Sequence, residues 1–176
     1  MRIILIVYWS LFFCLTANAQ QAVFELKGLY IGMSSSDAKS KFSNANCDTK
    51  DATRFCSVMD IPFGPIKSAN LFYILLDDKI MSIKIILKEA EFGGVVDALR
   101  AKFGASTVET TDIMQNRMGA KFDSLLISWI NGDIRLKATQ RFSSVDQSSV
   151  ELVSDSATKE WFRRKKEKSA AAADGL

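Results

Sequence analysis

Residues 68–88, SANLFYILLDDKIMSIKIILK, constrain the fold more than any other stretch of this chain. Two runs rich in β-branched and aromatic residues, 69–76 and 80–87, flank Asp77-Asp78-Lys79, and that arrangement predicts a β-hairpin. A three-residue loop sorts the side chains best. Leu71, Tyr73 and Leu75 then share a core face with Met81, Ile83, Ile85 and Leu87. The opposite face carries Phe72, Ile74, Leu76, Ile80 and Ile86 together with Ser82 and Lys84. A second hairpin is predicted in SLLISWINGDIRLKAT, residues 124–139, where Asn131-Gly132 is a strong two-residue turn signal. Pairing Ile130 with Asp133 groups Leu125, Ile127 and Trp129 with Ile134, Leu136 and Ala138, and turns Arg135 and Lys137 to the wet face. SSVELVS, residues 148–154, reads as a further strand.

A helix is predicted before each hairpin. In GLYIGMSSSDAKSKF, residues 28–42, Ser34 fits an N-cap with Asp37 three positions on, and Ala38 and Phe42 face inward. In EFGGVVDALRAKFG, residues 91–104, Phe92, Val95, Val96, Leu99 and Phe103 form one stripe, which Gly104 ends. DSATKEWFRRKKEK, residues 155–168, reads as a closing helix that docks through Trp161 and Phe162. The expected fold class is α+β: two helix-plus-β-hairpin repeats, about 24–90 and 91–154, forming a mostly antiparallel sheet with helices on one face, plus a C-terminal helix. They form one domain over residues 20–168, with 169–176 expected to be a disordered tail.

The first residues set the compartment. Met1-Arg2 precede an uncharged run from Ile3 to Leu15, which fits a signal-peptide core and falls short of the ~20 residues that span a bilayer. Ala17-Asn18-Ala19 is an A-x-A cleavage pattern, so residues 1–19 are expected to be a signal peptide that takes Cys14 with it. Nothing later in the chain is long and apolar enough to span a membrane. The expected location is periplasmic or secreted, where Cys47 and Cys56 would pair as a disulfide. Arg163, Arg164, Lys165 and Lys166 crowd into the C-terminal stretch. They are read as a solvated run capable of weak membrane-surface contact, and an exported protein seldom meets nucleic acid.

Enzymatic readings fare poorly. The chain has no histidine, so acid–base work would fall to carboxylates, lysines or tyrosines. A turn accounts for Asp77 and Asp78, and a helix start for Glu89 and Glu91. The spacing of Cys47 and Cys56 is unlike a C-x-x-C redox pair, and two sulfurs without histidine lack a metal-ligand set. No Gly-Lys-Ser/Thr follows Gly32, so the opening stretch is a capped helix and not a phosphate loop. No catalytic residue, metal or cofactor is therefore expected, and a histidine-independent hydrolase is the least favoured reading.

GLYIGMSSSDAKSKF is similar to the G-M-[ST]-x-x-[DE]-[AV] helix start of SmpA/OmlA-type envelope proteins and of β-lactamase-inhibitor-protein-like tandem-repeat proteins. ALRAKFGAS, residues 98–106, is similar to the helix end of such a repeat. The chain departs from the pattern in lacking a Gly-Met before the second helix, a glycine after Phe42, and a lipobox. The resemblance implies protein binding at a Gram-negative-type cell envelope, as an assembly factor or an inhibitor, and not catalysis. A periplasmic small-ligand or lipid carrier is the alternative. The expected binding residues are Phe72, Lys84, Arg135 and Lys137, an apolar spot with a basic edge on the outer sheet face. That face is otherwise expected to lie under the 105–123 segment or the C-terminal helix.

Overall fold

The structure is a computed structural model and describes residues 23–50 and 52–174; the leader expected at residues 1–19, with its cleavage site, lies outside them. Eight strands build one antiparallel sheet: β1 (Asn46–Lys50), β2 (Thr53–Phe63), β3 (Ile66–Leu76), β4 (Lys79–Lys88), β5 (Val108–Gln115), β6 (Lys121–Asn131), β7 (Ile134–Thr139) and β8 (Gln147–Ser154). Their spatial order is β1-β2-β3-β4-β8-β7-β6-β5. The α-helices are α1 (Ser35–Lys41), α2 (Phe92–Phe103) and α3 (Asp155–Asp174), the last running past Lys168, where the sequence pattern ends.

The expected fold class is corrected by this sheet. Among the described residues strand outweighs helix, 49% against 26%, and one large sheet replaces two helix-plus-hairpin repeats. Three strands escaped the sequence reading: β1 and β2 from the cysteine segment, and β5 from the stretch after α2. β1 and β5 are the two edges, and nearly every side chain on them is exposed. An edge strand that buries neither face has no period-2 pattern to display. The helices do not gather on one face either. α1 and α2 add Ala38 and Phe92, Val95, Val96 and Leu99 to the core, whereas Trp161 and Arg164 of α3 line a groove with Thr53 and Phe55 on the opposite side.

Turn chemistry corrects the registers and, except at Ile80 and Met81, leaves the faces as expected. Leu76 pairs with Lys79, so Asp77-Asp78 alone make the first turn, both at positive φ (50° and 64°). A type I′ turn requires that conformation, and Asp tolerates it. Ile74 then pairs with Ser82 but Leu75 with Ile80, which leaves Met81 as an inserted residue. A two-residue turn plus one bulged residue restores the register of a three-residue loop from Ile74 onward. The bulge puts Ile80 in the core cluster and leaves Met81 out of it. In the second hairpin Asn131 pairs with Ile134, so the turn is Gly132-Asp133, with Gly132 at φ 58°. Each partner shifts by two residues, and side chains keep their faces because the face repeats every two.

Two in-register rows make the centre of the core. Val58, Leu71, Ile85, Val150, Ala138 and Ile127 form one across β2-β3-β4-β8-β7-β6; Cys56, Tyr73, Ile83, Leu152, Leu136 and Trp129 form the next. All belong to the buried cluster. Each fully buried aliphatic side chain here contributes roughly 1.5–3 kcal/mol of apolar transfer. The buried Trp129 indole N–H donates to the Gly104 carbonyl at 2.9 Å, which ties the end of α2 to the sheet. At the far edge, Cys47 and Cys56 sit opposite each other on β1 and β2 and are disulfide-bonded, with Cα atoms 4.1 Å apart. A disulfide is consistent with an oxidising compartment.

Candidate functional site

The outer face of the sheet repeats the row geometry with different chemistry. One row runs Ser57, Phe72, Lys84, Glu151, Lys137 and Ser128; the next runs Phe55, Ile74, Ser82, Val153, Arg135 and Ile130. All four residues expected to bind a partner therefore lie on this face. The structure brings Lys84 and Lys137 together from either side of Glu151, at 3.0 and 3.2 Å. Lys84 also sits 4.5 Å from the centre of the Phe142 ring. Arg135 donates to both carboxylate oxygens of Asp155, at 2.7 and 2.5 Å. Phe72 stands beside Lys84 across β3–β4, half-buried.

These contacts change what the basic residues do. Burial pushes the Glu151 carboxyl up, but the Lys84 and Lys137 ammonium groups outweigh it and hold the group below the usual range. Glu151 sits in SSVELVS and is the anion on which the expected basic edge converges. Strand alternation placed it on the outer face, but no sequence pattern says that β8 inserts between β4 and β7. Pairing of sequence-distant strands decided that.

The apolar part of the face lies toward β1–β3. An open depression of about 390 Å³ is lined by Phe55, Ser57, Phe72 and Ile74, with Asn46, Asp48, Cys56 and Tyr73 beside them. Phe55, on β2 one strand in from the edge, is 40% exposed, an unusual state for a phenylalanine. It also reaches a second, larger groove of about 530 Å³, between the β1–β2 turn and α3, with Trp161, Arg164 and Lys165 on the helix side. The C-terminal helix thus covers one end of the outer face, and the 105–123 segment, being the β5 edge, covers none of it. Phe55 is the site residue that the sequence pattern did not single out, whereas Trp161 was expected to dock the closing helix. The alternation of Thr53, Phe55 and Ser57 against Cys56 and Val58 was the only signal for Phe55.

α3 is held by charge and caps. Ser154 Oγ accepts from the Ala157 N–H at 3.0 Å, and Asp133 accepts from Ser154 Oγ, Ser156 Oγ and the Ser156 N–H at 2.5, 2.7 and 2.8 Å. Hydrogen bonds from Ser154 first, then Ser156, hold the Asp133 carboxyl below its ordinary value. Farther on, Arg164 bridges Glu160 and Asp77 at 2.7 and 2.8 Å. Hydrogen bonds from Arg163 and Arg164 hold Glu160 down to about 2. The turn aspartate Asp77 therefore anchors the helix as well as making the turn.

Among the described residues no group of three or more Cys, Asp or Glu side chains is arranged to hold a metal ion. No helix among them is long and apolar enough to cross a membrane. No protein-family profile, curated protein or solved structure matches this chain.

Proposed function

We propose that this is an exported, non-enzymatic binding module of a Gram-negative-type cell envelope, periplasmic or secreted, which holds a protein partner against the outer face of β1–β3. One observation carries the reading: the apolar depression around Phe55, Phe72 and Ile74 is open to solvent on a face that α3 covers only at its end. A carrier would enclose its ligand in a cavity, and both large depressions on this face are open. The likeness of GLYIGMSSSDAKSKF to SmpA/OmlA-type and β-lactamase-inhibitor-protein-like sequences supports the same class. Apolar anchors supply the affinity at such a surface. Lys84, Lys137 and Arg135, engaged by Glu151 and Asp155, shape the face beside it.

The test is capture of the partner from envelope extract followed by affinity measurement with variants. Phe72→Ala and Phe55→Ala should each weaken binding by about 2 kcal/mol or more, as truncated anchors do. Thr111→Ala, on the exposed β5 edge, should leave it unchanged. Unaltered binding by both phenylalanine variants, at parental melting temperature, would show that the partner docks elsewhere.

A further inference from the structure

The groove beneath α3 has a composition of its own. Its described lining is Lys50, Ala52, Thr53, Phe55, Trp161, Arg164, Lys165, Lys168 and Ser169, and every charged residue among them is a cation. The volume of about 530 Å³ falls in the small-molecule range. Its aromatic surfaces are the exposed Phe55 on β2 and Trp161 on α3. Arg164 is committed to Asp77 and Glu160. Lys165 lies 5.3 Å from the centre of the Trp161 ring, so its ammonium stands at the lip of the apolar part. Lys50, the last residue of β1, lines the groove as well. Cations at the rim and aromatic rings inside are complementary to a molecule with an anionic head and a hydrocarbon body.

We propose that this groove is a binding site for a single-chain anionic amphiphile, with the alkyl chain between Phe55 and Trp161 and the carboxylate or phosphate head between Lys50 and Lys165. The groove is open, so it holds one segment of the molecule at the surface and does not enclose the whole. The site shares Phe55 with the depression around Phe72 but adds Trp161 and the cations of α3, so Phe72→Ala separates it from the protein-partner reading. Two consequences distinguish it from unspecific greasiness. Affinity should rise roughly threefold to fourfold for each added methylene until the groove is filled, the factor that corresponds to burying one CH₂. Head-group sign should matter, because Lys50, Lys165 and Lys168 line the groove.

The experiment is isothermal titration of the purified protein with decanoate, dodecanoate and dodecyl phosphate below their micelle concentrations, alongside dodecyltrimethylammonium and dodecanol. Binding of the carboxylates and the phosphate, with the methylene increment, is the expected result; dodecyltrimethylammonium should not bind. Combining Lys50→Glu with Lys165→Glu should weaken dodecanoate roughly tenfold and remove its salt dependence. Phe55→Ala should weaken it as well, whereas Phe72→Ala should not. Far-ultraviolet dichroism and melting temperature check that the variants remain folded. Equal binding of the cationic and anionic probes overturns the proposal, as does indifference to both the charge and the Phe55 changes. Binding to phosphatidylglycerol vesicles without binding to monomeric dodecanoate overturns it too, since the site would then be a membrane-contact surface.

Discussion

Replacing Glu151 with glutamine tests the reading of the outer face most directly. Its carboxylate stands between Lys84 and Lys137, and the side chain is 17% exposed against 28% and 32% for the lysines. Without it, two ammonium groups face each other across β8 with no anion between them. Breaking a fully buried ion pair by removing one partner costs about 3–5 kcal/mol, and an exposed pair is worth about 0–1. The lysine heads reach water and relax part of the repulsion, so about 2 kcal/mol is expected. For a domain of this size that lowers the melting temperature by roughly 4–8 °C. Thermal unfolding followed by circular dichroism at pH 7 measures it. The pH dependence supplies a second readout. Glu151 has a depressed pKa in the folded protein, so its contribution is present above the unfolded value and is lost as pH falls through the folded one. The gap between Glu151→Gln and the parent should therefore close as pH falls below the ordinary glutamate range. Changing Lys84 and Lys137 to Met together with Glu151 to Leu should recover most of the loss, because apolar replacement of a whole ionic group is often neutral or better. A Glu151→Gln protein that melts within a degree of the parent at pH 7 refutes the reasoning, and so does a difference that persists unchanged in acid.

Two further outcomes follow from the disulfide and from the cap of α3. Replacing both Cys47 and Cys56 by serine should lower stability by about 2–3 kcal/mol in urea unfolding, the loop-closure value for so short a cross-link. The parent, denatured without reductant, should give no alkylation at either residue. Asp133→Ala should cost about 1 kcal/mol and selectively raise hydrogen exchange at the start of α3, since Asp133 accepts from the Ser156 N–H and both serine hydroxyls there. Its depressed pKa means that acid should reproduce the effect as pH falls through the folded value, below the ordinary aspartate range.

The sequence alone determined the local pairings whose chemistry repeats. Alternation in 68–88 and 124–139 sorted the core and outer faces of β3, β4, β6 and β7, apart from Ile80 and Met81 at the bulge, and elsewhere it survived a misplaced turn because the face repeats every two residues. The helical stripe of Phe92, Val95, Val96 and Leu99 was equally legible, since burial on one side of a helix writes itself at 3.6-residue spacing. The pairing of Cys47 with Cys56 followed from two cysteines near in sequence, although the β1–β2 hairpin that aligns them did not. Only the tertiary structure decided the rest. The exposed edges β1 and β5 owe their strand conformation to the neighbours they pair with, so nothing in their own residues announces it. The union of β4 with β8 joins residues far apart in the chain, and from it come the Lys84–Glu151–Lys137 group and the path of α3. The groove between Phe55 and Trp161 exists because that path crosses the end of β2. A periodic pattern records which side of an element is buried; it does not record against which other element.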